Sequence, residues 1–131
     1  MFLNFNVIML NCNGLCNKLG QVKYLVYQKL PQLLCFTETW IKKHTPKFID
    51  YLAIWDNRIG RPKGGLGILV HKSVIFQELP LDDFRGGVLE CQAIKLQLSS
   101  GQTLSVLNVY NPCKDFTKDE LKHYTVQLGA T

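Results

Sequence analysis

The first third of the sequence alternates between apolar and polar blocks that predict a strand, a helix and a second strand. Residues 5–10 form a mostly apolar run of strand length, and residues 11–14 are polar and contain glycine, which is typical of a loop. Apolar residues then recur at helical spacing as far as Leu30, and Pro31 prevents the helix from continuing. Residues 33–36 are a second short apolar run. This order and these lengths are typical of a parallel βαβ unit.

The remainder of the sequence predicts several more strands and one more helix. Residues 99–102 have turn chemistry and predict a hairpin whose second strand runs over 103–110. Residues 117–120 have the spacing of a capping box, and the apolar stripe after them predicts a final helix. Four further apolar runs of strand length lie at 51–55, 66–70, 74–79 and 88–98. The pattern as a whole predicts an α/β domain.

The composition restricts the class of protein. A chain of 131 residues fits one compact domain or part of a larger one, and 47% hydrophobic against 19% charged residues excludes a disordered chain. The net charge of +5 permits an anionic partner. No apolar run reaches the ~20 residues of a membrane span, so no membrane partner is expected. Four of the five cysteines lie in or beside apolar runs, which indicates reduced thiols in an intracellular protein.

Polar side chains with useful chemistry follow three of the predicted strands. Asn11 and Asn13 come after the first strand, Glu38 after the second, and Tyr110 at the end of the last. The ends of strands are where sites gather in α/β sheets. A carboxylate suits Mg²⁺, an amide orients a phosphate without adding charge, and a tyrosine hydroxyl donates to a phosphate oxygen. Taken singly, each residue also has an ordinary explanation in turn or capping chemistry.

Four segments of the sequence together resemble the endonuclease/exonuclease/phosphatase superfamily. They are LNCNGL at residues 10–15, LCFTETW at 34–40, GGLGILV at 64–70 and LNVYNP at 107–112. Their order and spacing are most similar to the apurinic-type endonuclease domain of non-LTR retrotransposons. The resemblance implies a four-layer α/β sandwich, of which this chain is roughly the first half, with one mixed sheet and covering helices. It also implies Mg²⁺-dependent hydrolysis of phosphodiester bonds, which nicks DNA for target-primed reverse transcription.

The resemblance further implies roles for individual residues. Asn11 matches the asparagine that orients catalytic groups, Glu38 the metal-binding glutamate, and Tyr110 the tyrosine that contacts the scissile phosphate. Asn13 lies where some members have an acidic residue near the metal, and we place it among the nucleic-acid-binding residues. Three basic residues of a glycine-rich segment are predicted to contact the phosphate backbone, with solvated loop charge as the alternative: Arg58, Arg61 and Lys63.

The resemblance covers only the first half of the family's domain. The second half supplies an Asp-x-Asn strand end, a further Asp and a Ser-Asp-His, and none of these has a counterpart in this sequence. Residues 1–131 are therefore predicted to be a partial domain that lacks the C-terminal catalytic half. We expect the chain alone to be inactive, because a missing general acid or base costs roughly 10²–10⁴-fold. Two alternatives stay open: a catalytically dead fragment with weak nucleic-acid binding, and a phosphatase of the same superfamily.

The expected partner is DNA, with no small-molecule substrate, and the expected location is intracellular, in the nucleus. Two-sheet sandwiches bury one face of each sheet against the other. A chain that holds half of such a sandwich should leave an apolar sheet face exposed. Self-association through that face is therefore also predicted.

Overall fold

The computed structural model describes residues 5–58, 63–81 and 89–111. The predicted first helix and the predicted strands are confirmed, whereas the predicted helix over 117–128 lies outside the described residues. No helix within the described residues is long and apolar enough to cross a membrane. The elements are, in chain order, β1 (Val7–Asn11), a 3₁₀ turn (Cys16–Lys18), α1 (Leu19–Lys29), β2 (Leu33–Thr37), β3 (Tyr51–Asp56), β4 (Leu66–His71), β5 (Ile75–Leu79), β6 (Glu90–Gln97) and β7 (Thr103–Tyr110).

The seven strands form two sheets. The first has the order β1-β2-β4-β3, with β1 parallel to β2 and the other pairs antiparallel. The second is an antiparallel sheet of order β5-β6-β7. The predicted α/β class is confirmed, but the expectation of a single mixed sheet is wrong. β4 is paired with β2 on one side and with β3 on the other, so no further strand can pair with β4. The next strand, β5, therefore lies in the second sheet, where it pairs with β6.

The first sheet is covered on both faces, which explains the continuous burial of β2 and β4. Alternate side chains of a strand point to opposite faces. Leu34 and Phe36 therefore pack with α1, where Val22 and Val26 are buried. The other face of β2 packs against the second sheet in an apolar cluster that spans both sheets: Leu33, Cys35, Ile68, Val70, Ile94 and Leu96.

Two buried amide side chains connect the sheets within this apolar interface. Asn108 of β7 is fully buried, and its Nδ2 donates to Phe36 O at 2.9 Å and Gly67 O at 3.2 Å in the first sheet. It also donates to Oε1 of Gln92, its cross-strand partner, at 3.2 Å. Gln92 in turn donates to Ile54 O at 2.9 Å. Since a buried amide is costly unless it is hydrogen-bonded, these contacts favour one register of the two sheets.

Apolar side chains are exposed along the edges of the sandwich. Among the described residues, β1 forms one edge of the first sheet and β7 one edge of the second. Met9 is 68% exposed, and Leu104 and Leu107 are each 42% exposed. The exposed apolar surface of the described chain thus includes both of these outer strands.

Candidate functional site

Three loops meet where β1 and β2 end, and backbone hydrogen bonds hold them together. We call them the first loop (residues 12–15), the central loop (residues 37–40) and the glycine loop (residues 63–65). The first loop donates to the central loop three times: Cys12 N–H to Thr37 O at 2.8 Å, Gly14 N–H to Glu38 O at 2.9 Å, and Leu15 N–H to Thr39 O at 3.0 Å. The central loop donates twice to the glycine loop: Thr39 N–H to Gly65 O at 3.2 Å and Trp40 N–H to Gly64 O at 2.8 Å.

The central loop follows an unusual backbone path at Glu38. Glu38 has φ 52° and Trp40 has φ 55°, both in the left-handed region that non-glycine residues rarely occupy. Such a conformation costs of order 1–3 kcal/mol per residue and persists only where the surroundings impose it. The hydrogen bonds from the flanking loops impose it here. Strain of this kind is concentrated at functional sites.

Glycine is required at two points where the loops approach each other. A Cβ on Gly14 would lie 2.8 Å from a ring carbon of Trp40, and a Cβ on Gly65 would lie 2.6 Å from Thr39 Oγ1. Both glycines also have positive φ, 97° and 92°. A larger residue at either position would therefore separate the central loop from its neighbour.

Glu38 and Tyr110 meet at this edge of the fold. Tyr110 is the last residue of β7, and its hydroxyl lies close enough to the Glu38 carboxylate to interact with it. Burial raises the pKa of the Tyr110 phenol, and the interaction with Glu38 raises it further. Tyr110 is therefore a neutral hydrogen-bond donor at neutral pH. Because Asn108 is two residues earlier on the same face of β7, its contacts with the first sheet also set where Tyr110 lies.

Asn11 lies at the same edge. It ends β1 and pairs in parallel register with Thr37, the residue before Glu38. Alternation along β1 places Asn11 on the face that is directed toward the second sheet, which is the sheet that carries Tyr110. Asn13 is exposed in the first loop, and its backbone carbonyl accepts a hydrogen bond from Lys18 Nζ at 3.4 Å. The sequence-based expectation that parallel pairing brings Asn11 and Glu38 to one edge agrees with this register.

An ion pair borders the site, and one of its members was missed from the sequence. Arg58 Nε donates to Glu90 Oε2 at 2.7 Å, and the side chains are 13% and 15% exposed. Gly65 N–H donates to the other carboxylate oxygen at 3.1 Å. The hydrogen bond to Glu90 raises the pKa of Arg58. A signal for Glu90 existed: the hairpin turn pairs Gln97 with Thr103, and counting back along both strands puts Glu90 opposite Tyr110.

Other basic side chains surround the loops. Lys63 is exposed, and its Nζ lies 5.0 Å from the centre of the Trp40 ring, within cation–π distance. Arg61 lies outside the described residues. Three more exposed lysines follow the central loop, at positions 42, 43 and 47. The described surface around the site therefore has a positive charge suited to an anionic partner.

The residues at this edge fit part of a Mg²⁺ site. Glu38 is a carboxylate at the end of a strand, and Mg²⁺ is commonly bound by one or two carboxylates together with waters and substrate phosphates. Within the described residues, no group of three His, Cys, Asp or Glu is placed to hold a metal. Glu38 can therefore serve as one ligand, and Glu90 is engaged with Arg58 and Gly65.

The described thiols near the site are poor nucleophiles. Burial raises the pKa of Cys12, in the first loop, to about 12, with the neighbouring Lys18 partly opposing it. Burial likewise raises the pKa of Cys35 to about 11 and of Cys91 to about 11. Since the thiolate is the reactive form, these three side chains are inert at neutral pH. Covalent catalysis through them is not supported, and the chemistry of the edge is that of carboxylate, phenol and guanidinium.

Comparison with known proteins identifies the fold. No family model matches the sequence, and no curated protein matches it significantly. Solved structures do match. D. rerio TDP2 complexed with single strand DNA product has a TM-score of 0.64 at 17% identity, over 95% of this chain and 53% of that one. The Xenopus laevis APE2 catalytic domain has a TM-score of 0.62 at 17% identity, over 93% of this chain and 50% of that one.

A third match comes from bacteria. The 3′ phosphatase NExo from Neisseria, bound to a product DNA hairpin, has a TM-score of 0.56 at 20% identity, over 97% of this chain and 49% of that one. Two of these three structures contain DNA, one as a single strand product and the other as a product hairpin. At such identities the likeness establishes the fold, which is the α/β sandwich that the sequence motifs implied. The chain spans about half the length of the structures it matches.

Proposed function

We propose that this chain is the first half of a Mg²⁺-dependent DNA phosphodiesterase domain, of the kind that nicks target DNA in non-LTR retrotransposons. The observation that carries the proposal is the contact of Tyr110 with Glu38 at an edge where three loops are held together by backbone hydrogen bonds. The solved structures of this fold that include DNA support a nucleic-acid substrate. A DNA substrate also supports a nuclear site of action.

Each residue at the edge has a chemical role in this proposal. The Glu38 carboxylate would hold Mg²⁺, which when bound would supply positive charge against the negative charge that develops on the phosphate. The Tyr110 hydroxyl donates a hydrogen bond to a phosphate oxygen, and its raised pKa keeps it protonated for this purpose. The Asn11 amide orients these groups without changing the net charge of the site.

We expect the 131-residue chain alone not to nick DNA, because the residues that the structure describes include no group of three His, Cys, Asp or Glu placed to hold a metal. The catalytically dead fragment is the competing proposal. The two are separated by a supercoiled-plasmid assay on this chain and on a longer form that contains the second half of the fold. Mg²⁺-dependent nicking by the longer form supports the enzyme. A longer form that binds DNA without nicking it supports the dead fragment.

Lys63 should contribute to DNA affinity through the phosphate backbone. Replacing it by Ala should weaken binding to duplexes of any sequence and reduce the slope of log K against log salt by about one, because one phosphate interaction is removed. The measurement is fluorescence anisotropy over a range of salt concentrations. Lys95→Ala is the matched control, because Lys95 is exposed on β6, on the face of the second sheet directed away from the first. If the slope is unchanged in Lys63→Ala, Lys63 does not contact phosphate and is an ordinary solvated charge of the loop.

The exposed apolar side chains of the outer strands lead us to propose self-association. Met9, Leu104 and Leu107 are among the large side chains left accessible, and exposed apolar surface favours association. Size-exclusion chromatography should show an elution volume that depends on protein concentration, and Leu107→Lys should move it toward the monomer. An elution volume that corresponds to a monomer at every protein concentration, together with no binding of a hydrophobic dye, would contradict this proposal.

A further inference from the structure

Glu90 connects the second sheet to the glycine loop of the first. It is the first residue of β6, and both of its carboxylate oxygens are used: Oε2 accepts from Arg58 Nε at 2.7 Å, and Oε1 accepts from Gly65 N–H at 3.1 Å. A carboxylate that is hydrogen-bonded through both oxygens has one fixed orientation. The groups it binds, a guanidinium and a backbone N–H of the glycine loop, are fixed with it.

The surroundings of Arg58 leave it little freedom to move. Its side chain is 13% exposed, and Glu90 supplies a charged partner to this largely buried guanidinium. A Cβ on Gly64 would overlap the guanidinium, which shows that the guanidinium lies directly against the backbone of the glycine loop. Glycine at position 64 is thus explained by the space that Arg58 occupies.

The same carboxylate lies beside the proposed catalytic edge. Glu90 is the cross-strand partner of Tyr110 in the hairpin of β6 and β7. Because Glu90 Oε2 accepts from Arg58 Nε at 2.7 Å, the guanidinium lies at the end of the hairpin that carries Tyr110.

We propose that Glu90 is a positioning residue of the phosphodiester site: it holds the Arg58 guanidinium and the glycine loop beside Tyr110 and Glu38, so that a substrate phosphate meets a fixed cation. The assignment of the phosphate to this edge rests on the proposed function. Bringing a loop cation to a phosphate costs side-chain entropy, and a cation that is already held in place avoids that cost. The Glu90 carboxylate does this without touching the substrate itself.

The test is a double-mutant cycle read on the affinity of the full chain for a short DNA duplex, measured by fluorescence anisotropy over a range of salt concentrations. Arg58→Gln should weaken binding and reduce the slope of log K against log salt by about one, because it removes a cation that meets a phosphate. In the Glu90→Gln background the same replacement should change both quantities clearly less, since Glu90 no longer holds the guanidinium at the site. Glu78→Gln, at an exposed glutamate of β5, is the matched control and should leave the effect of Arg58→Gln at full size.

The outcomes separate the positioning role from the proposed function. Glu90→Gln should weaken duplex binding to about the same extent as Arg58→Gln. Equal effects of Arg58→Gln with and without Glu90 would overturn the positioning role while leaving the proposed function standing. Unchanged affinity and salt slope in both Arg58→Gln and Glu90→Gln would overturn the link between these two residues and phosphate binding. If Glu90→Gln fails to fold, Glu90→Asp keeps the charge on a shorter side chain and should give a partly reduced effect.

Discussion

Replacing Glu38 by Gln should abolish Mg²⁺-dependent nicking by a longer form of this protein that contains the second half of the fold. Loss of a metal ligand removes several kcal/mol of charge stabilisation from the transition state, and every 1.36 kcal/mol is tenfold in rate, so the expected decrease is roughly 10³-fold. The fold should survive, because Gln has nearly the shape of Glu and because the backbone of the central loop is held by its neighbours. Steady-state nicking rates and the thermal midpoint, measured on the same preparations, separate the two effects.

Glu78→Gln is the control for Glu38, since it removes a carboxylate of the same kind from an exposed position on β5. It should change neither the nicking rate nor the midpoint. Nicking by Glu38→Gln within a few-fold of the parent rate would refute the role that we propose for Glu38. A large drop in thermal midpoint together with the loss of rate would instead show that Glu38 stabilises the loops.

The second large effect is expected at Asn108. Asn108→Ala removes the Nδ2 group that binds two backbone carbonyls of the first sheet and the side chain of Gln92. Each of these hydrogen bonds contributes a net ~1 kcal/mol, so the free energy of unfolding should fall by roughly 3 kcal/mol. Against a typical total of about 5–15 kcal/mol, that loss is large.

Urea denaturation measures this change in the free energy of unfolding. Ser105→Ala, at an exposed position on the same strand, is the control and should change it by less than about 0.5 kcal/mol. A loss at Asn108 no larger than the loss at Ser105 would show that the buried amide does not hold the sheets together. Because Asn108 and Tyr110 share a face of β7, a destabilised Asn108 variant should also bind DNA more weakly at the same edge.

The sequence was sufficient to predict the local elements and the location of the candidate site. Hydrophobic periodicity marks the first helix and the strands because each must bury apolar side chains on one face or both. The parallel pairing of β1 with β2 follows from the βαβ pattern, and it brings Asn11 and Glu38 to one edge. The continuous apolar run at 66–70 fits the strand β4, which is covered on both faces.

The division into two sheets and the polar contacts between them could not be predicted in the same way. Whether β5 joins the first sheet depends on which edges are already occupied, and that is a property of the whole fold. Asn108 and Gln92 have the appearance of surface residues in an alternating strand, yet both are buried where the second sheet lies over the first. The pattern of apolar and polar residues along β7 does not show that Asn108 donates to Phe36 O, which belongs to a strand 72 positions earlier in the sequence.

Glu90 was not predicted as a site residue, because the sequence prediction considered only polar residues that follow strands. It begins a strand, and no acidic residue near it in sequence suggests a site. Its partner Arg58 was predicted to contact phosphate as a loop cation, and the structure adds that Arg58 is held in an ion pair beside Tyr110. Whether Arg58, Asn13 and Lys63 contact nucleic acid stays a prediction. The register of the hairpin places Glu90 opposite Tyr110, and this pairing identifies Glu90 as a candidate site residue.

Binding of Mn²⁺ to the isotope-labelled chain, followed by paramagnetic broadening of its NMR signals, tests the central claim most directly, since Mn²⁺ occupies the same kind of oxygen site as Mg²⁺. At low Mn²⁺ concentrations the broadening should be strongest at Glu38, Asn11 and Tyr110, should be reversed by excess Mg²⁺, and should disappear in Glu38→Gln. Broadening spread over exposed carboxylates such as Asp50 and Glu78, with no preference for the edge of Glu38 and no change in Glu38→Gln, would contradict the account.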